Sequence, residues 1–249
     1  MFKISFKQLF KSTLLVSALA IPSTALATKV VFDTSEGSIE VNLFDNGTPK
    51  TVGNFLSYVN DGSYNDTIIH RSVPGFITQG GGFSFEGSLN LNKLPTKPSV
   101  INEPIYSNRR GTIAMAKLSG QPNSATNQWF FNLDNNQANL DVQNSGFTVF
   151  GQVIEGMDIV DNIASISLCN SVPMPNYNCG SGDVPGVENF VTIYSITISD
   201  TSINTISALN PIVEPIIIDK VTPKNSGGST SLFTLFTLSL LILNRRRLN

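Results

Sequence analysis

Residues 68–82 read IIHRSVPGFITQGGG, and this stretch holds the chain's single histidine, His70, directly before Arg71. TIIHRS and FITQGG, on either side of Pro74-Gly75, are short β-prone runs. Histidine is the usual candidate for proton chemistry near neutral pH. Here it shares a strand with an arginine, and neighbours on a strand point to opposite faces. One of the two serves a site, and the other serves the interior.

The surrounding segments repeat the β signal. KVVFDTSEGSIEVNLF (residues 29–44) is two β-rich runs about a Ser-Glu-Gly turn, and GTIAMAK, QWFFNL, FTVFGQV and NFVTIYSITI are further short runs. Val52, Phe55, Leu56 and Val59 recur at helical spacing, with Pro49 placed early and Gly62 just beyond. A second helix is expected at GMDIVDNIASI, where Met157, Val160 and Ile163 share one face. Six to eight strands with two helices predict a mainly β antiparallel barrel whose open ends the helices plug.

The two ends of the chain read differently. Residues 1–27 have a basic start, an apolar centre and the small residues Ala25 and Ala27, the pattern of a secretory signal peptide. From about residue 201 to 226 the composition turns to Pro, Asn, Ile and Thr without period, as in a linker or stalk. Residues 227–249 hold a glycine pair, an apolar run from Leu232 to Leu243, and Arg245, Arg246 and Arg247. That run is short of the ~20 apolar residues a spanning helix needs. The tail resembles a GlyGly-CTERM sorting signal, and a plain membrane anchor is the alternative. The expected location is outside the cytoplasm: periplasm, outer surface or secreted, with the membrane touched only by the terminal segments.

Charge narrows the partner class. The chain carries 16 basic and 18 acidic residues. Setting aside the six basic residues at the extreme ends leaves the part between them distinctly acidic, which disfavours nucleic acid as the partner. Two cysteines, Cys169 and Cys179, lie ten positions apart in a Pro- and Asn-rich segment. In an exported chain an even count favours a disulfide over free thiols. Closing so short a loop contributes somewhat under about 3 kcal/mol by the chain-entropy model. Two cysteines and one distant histidine make a poor zinc site, so no metal is expected. No G-x-S-x-G elbow, P-loop or H-E-x-x-H helix occurs.

HRSVPGFITQGGG, RGTIAMAK, SATNQWFFN and FTVFGQVIEGMDIVDNIA together resemble the cyclophilins, in order and spacing, over about residues 28–200. The resemblance implies a closed eight-stranded antiparallel barrel capped by two α-helices, usually monomeric and needing no cofactor. It implies cis/trans isomerisation of the peptide bond before proline in unfolded or exposed polypeptides. By the same resemblance Arg71 is the catalytic group. Phe76, Ile77, Phe130, Leu140 and Phe147 fall at proline-pocket positions, Gln79 binds substrate backbone and helps hold the arginine, and Ala116, Lys117 and Gln128 lie along the peptide groove. His70 is then structural.

Four positions depart from the family pattern: Ile77 for the commoner Met, Asn139 for Trp or Phe, Phe147 for His or Tyr, and Trp129 for a core Phe. Asn139 implies weak cyclosporin inhibition. With Phe147, it keeps open a barrel that binds proline peptides without catalysis. A surface-displayed scaffold is a third reading, suggested by the tail.

Overall fold

The computed structural model describes residues 28–87 and 90–200. The signal peptide, the stalk and the sorting tail expected at the two ends lie outside the described residues. No helix among the described residues is long and apolar enough to cross a membrane.

The chain opens with a tight hairpin, β1 (Lys29–Thr34) and β2 (Gly37–Leu43), followed by helix α1 (Pro49–Asn60). Then come β3 (Thr67–Ile68), β4 (Arg71–Val73), β5 (Ile77–Gly80), β6 (Phe83–Ser84) and β7 (Asn92–Lys93). After a long irregular connection follow β8 (Thr112–Met115), β9 (Trp129–Asn132), the single turn α2 (Gln137–Leu140), β10 (Val149–Glu155) and α3 (Met157–Ser165). A small hairpin, β11 (Leu168–Cys169) and β12 (Val172–Pro173), precedes the last strand, β13 (Thr192–Asp200).

Eleven of these strands form one antiparallel sheet in the order β4-β5-β9-β8-β10-β2-β1-β13-β3-β6-β7. β3 and β4 are separated by only Ile69 and His70, yet they stand near opposite ends of that order. The three steps from Ile68 to Arg71 span no more than about 11 Å, so the sheet must curl strongly on itself. The mainly β class and the antiparallel curl match the expectation. Eleven segments stand in this one sheet, and several, such as β3, β6 and β7, are pairings of two residues.

Both expected helices are present. α1 buries Val52, Phe55, Tyr58 and Val59, with Leu56 packed at the margin of the core. Thr48 makes no side-chain cap. Instead the Glu103 carboxylate, 52 residues on, accepts from the Thr51 N–H and hydroxyl at 2.9 Å each, placing negative charge at the helix N-terminus. α3 buries Val160 and Ile163 against β2 and begins at Gly156, whose φ of 82° suits glycine. A Cβ there would stand 2.4 Å from the Ser38 carbonyl oxygen.

The sheet separates two apolar clusters, and strand alternation decides which residue joins which. On β9, Trp129 and Phe131 enter the main core with Phe32, Phe55 and Phe150, while Phe130 between them joins Phe44, Ile77, Leu140 and Val149 on the other side. Phe32 stands edge-on to Trp129 and Phe131 at centroid distances of 5.1 and 5.5 Å. Each such pair contributes about 0.5–1.5 kcal/mol beyond area burial. The Trp129 indole N–H, for which burial demands a partner, finds none among the described residues. It is pressed instead against Gly81, where φ is 79° and a Cβ would come within 2.7 Å of the indole nitrogen. The glycine run of residues 80–82 is therefore the clearance β9 needs.

Candidate active site

The turn Val73-Pro74-Gly75-Phe76 joins β4 to β5, with Phe76 N–H donating to the Val73 carbonyl at 2.9 Å. Proline followed by a glycine at φ 70° is the requirement of a type II turn. That turn fixes the register, so that Arg71 faces Gln79 and Val73 faces Ile77. The ladder continues from Gln79 to Phe130, from Phe130 to Ala114 and from Ala114 to Val149. Directly opposed residues share a face, so Arg71, Gln79 and Phe130 form one row across three strands. Ser72 and Thr78 lie on the other face, with their hydroxyls 3.2 Å apart.

Over this row lies a cavity of about 310 Å³ lined by Arg71, Phe76, Ile77, Gln79, Ala116, Lys117, Phe130, Asn139, Leu140, Gln143 and Phe147. Phe130 and Phe147 meet edge-to-face at 5.9 Å, and Ile77, Phe130 and Leu140 are buried beneath the opening. Arg71 Nη1 donates to Gln79 Oε1 at 3.2 Å, and Gln79 Nε2 donates in turn to Gln128 Oε1 at 2.8 Å. Gln128 lines a neighbouring cleft of about 250 Å³ with Lys93, Thr96, Ser124, Thr126 and Asn127. Gln79, Ala116 and Lys117 border both spaces. The result is an apolar cup with one guanidinium at its rim, opening beside a groove of hydroxyls, amides and ammonium groups.

The model of the cyclophilin type peptidyl-prolyl cis-trans isomerase family matches residues 29–180. The chain belongs to that family. It is similar to a peptidyl-prolyl cis-trans isomerase of Acinetobacter baylyi, 44% identical over 154 residues covering 61% of this chain and 78% of the relative. It is also similar to peptidyl-prolyl cis-trans isomerase B of Escherichia coli, 39% identical over 175 residues covering 69% of this chain and 99% of that protein. In fold it resembles the crystal structure of a Cryptosporidium parvum cyclophilin type peptidyl-prolyl cis-trans isomerase. The TM-score is 0.53 at 23% identity, covering 71% of this chain and 99% of that one. The protein is thus a cyclophilin-type peptidyl-prolyl cis-trans isomerase.

Within the cyclophilin frame, His70 takes no place at the cavity. Its ring stands edge-on to Phe83 at 4.7 Å, and its Nδ1 is buried with no hydrogen-bond partner among the described residues. Burial pushes its pKa down to about 4, helped by the Arg71 charge and opposed by hydrogen bonds with Gln128 and the Ile68 backbone. A neutral, enclosed imidazole is the structural member of the pair.

Two features escape sequence reasoning. Gln143 enters the cavity wall from a 3₁₀ turn at Gln143–Ser145, a segment without hydrophobic period. The Lys117 side chain is the second. Its Nζ donates to the Asn144 and Gly146 carbonyls at 2.9 and 2.6 Å and lies 4.8 Å from the Phe147 ring centroid. Burial lowers its pKa to about 8. A long-range tie between a lysine and backbone carbonyls leaves no pattern in a sequence. The Cys169–Cys179 disulfide is formed.

Proposed function

We propose that this enzyme is an exported isomerase of proline-containing polypeptides in which Arg71 stabilises the twisted prolyl amide. Rotation about an amide meets a barrier of about 18–20 kcal/mol because resonance gives the C–N bond double-bond character. At the half-turned geometry that resonance is lost, and the prolyl nitrogen regains a lone pair able to accept a hydrogen bond. A donor aimed at that nitrogen favours the transition state over the planar ground state. A guanidinium keeps its charge and its planar fork at all physiological pH. No bond breaks and no proton moves.

The observation that carries the reading is the Arg71–Gln79–Phe130 row. The ring at one end bounds an apolar cup roomy enough to admit a proline ring, and the charged donor at the other stands at its rim, tethered by Gln79. A 10⁴-fold acceleration corresponds to about 5.5 kcal/mol. A charge-assisted hydrogen bond in a site drier than bulk water, together with binding of the twisted form, is of that order. Phe76, Ile77, Leu140 and Phe147 would hold the proline ring. Ala116, Lys117 and Gln128 would flank the residues before it.

Export is supported by the signal-like residues 1–27 and by a disulfide that persists best in an oxidising compartment. The GlyGly-CTERM-like tail, residues 227–249, would direct the chain to the cell surface, and the mature protein would act as a monomer. A protease-coupled or exchange-NMR isomerase assay on an Ala-Pro peptide, run with wild type and Arg71→Ala, tests the mechanism. Mass spectrometry of both mature ends tests the export.

A further inference from the structure

β4 is three residues long and ends the sheet order, so β5 pairs with only one of its edges. Buried backbone donors on the other edge need a separate acceptor. Ser72, 1% exposed, donates its N–H to the Ser171 carbonyl at 2.7 Å. Ser171 belongs to the tip of the β11–β12 hairpin, where Leu168 faces Pro173 and Cys169 faces Val172. Asn170 and Ser171 have φ of 50° and 72°, the left-handed pair that a two-residue hairpin turn of type I′ requires. The disulfide ties Cys169, the residue directly before this turn, to Cys179. Met174, 3% exposed, fastens the loop to Ile68 and Phe190 below. One covalently closed loop thus supplies the second edge of the strand that carries Arg71.

We propose that the bridged hairpin, residues 168–179, is a positioning element for Arg71, holding β4 from its outer edge so that the guanidinium keeps its place over the cup. The proposal rests on the reading of Arg71 given above. A three-residue strand laddered on one side opens readily, and a displacement of about 1 Å at a reacting group costs up to 10²-fold in rate. The bridge keeps the Ser171 carbonyl in reach when the hairpin fluctuates. Phe130 and Leu140, which line the cup, stand on β9 and α2 and not on β4.

The test compares wild type, C169S/C179S and Arg71→Ala by exchange NMR on an Ala-Pro peptide, with amide hydrogen exchange at Ser72. The double variant is expected to lose at least tenfold in Ser72 protection and at least fivefold in kcat, with the peptide dissociation constant within twofold of wild type. Wild type treated with a dithiol gives the same losses and recovers on reoxidation. In that treatment Cys169 and Cys179 each take up one electron and one proton, and the dithiol closes its own disulfide. Should the double variant not fold, the reduced wild type decides. If kcat and Ser72 protection both stay within twofold, or if kcat falls only with the folded fraction, the proposal is overturned. An inactive Arg71→Ala then leaves the Arg71 reading standing. A fully active Arg71→Ala removes that reading and this proposal together.

Discussion

Arg71 and Gln79 face each other directly across β4 and β5, and the guanidinium reaches the amide oxygen at 3.2 Å. That single bond fixes one arm of the arginine and leaves the remainder of its donor fork for the cavity. Gln79 is itself held by Gln128 at 2.8 Å, so the orientation of the charge depends on two amides, one at the wall of the cup and one in the neighbouring cleft.

Removing the first of those amides should therefore act through the arginine. Gln79→Ala is expected to lower kcat/KM about 10- to 100-fold, the range for a hydrogen bond to a charged group worth about 1.5–3 kcal/mol. Steady-state isomerase kinetics check it. Gln128→Ala, one step further away, should lose less.

His70 sets an acid limit on stability without touching the chemistry. Its folded-state pKa of about 4 lies below its ordinary value of 6.5, so below pH 6.5 the unfolded chain binds a proton that the folded chain refuses. The fold is favoured fully above that value and loses stability as pH falls from 6.5 to 4. The total is about 3 kcal/mol at about 1.4 kcal/mol per pKa unit. Urea denaturation from pH 7 to pH 4 should show this loss, and His70→Gln should lessen it. Isomerase activity should stay flat between pH 6 and 7.5, since the proposed step transfers no proton.

Lys117 braces Phe147 through the Asn144 and Gly146 carbonyls. Lys117→Met should raise KM several-fold with little change in kcat, and Lys117→Arg should restore part of the loss. Because burial brings its pKa to about 8, the ammonium is present below that pH and lost above it. The KM of wild type should therefore climb as pH passes 8, while that of Lys117→Met stays level. A pH series of initial rates separates the two.

Asn139 is exposed on the cavity wall, at a position where the family resemblance places Trp or Phe. Cyclosporin should inhibit this enzyme weakly. Asn139→Trp should tighten inhibition at least tenfold by supplying an indole face and donor. Inhibition titrations against the same peptide check it.

Much of this molecule is legible in its sequence, for identifiable reasons. Strand alternation separates Phe130 from Trp129 and Phe131, and Pro49 with the spacing of Val52, Phe55 and Val59 marks α1. The order of motifs carries the family. What the sequence hides is tertiary by nature. Helix α1 takes its charge from Glu103 in a loop, not from its own first turn. α2 is one turn without period, so Leu140 and Asn139 reach the cavity from an element that no pattern announces. The cysteine spacing suggests the bridge, but nothing in it tells that Ser171 would meet Ser72. Short strands such as β3 and β6 are defined by their partners more than by their own two residues.

The central claim is that a guanidinium fixed over an apolar cup accelerates prolyl rotation, and exchange NMR on an Ala-Pro peptide measures it most directly. Arg71→Ala should reduce kcat at least 100-fold while the peptide still binds within a few-fold of wild type. Arg71→Lys should recover little, since an ammonium lacks the planar fork. An Arg71→Ala enzyme that turns its peptide over at the wild-type rate would contradict the account.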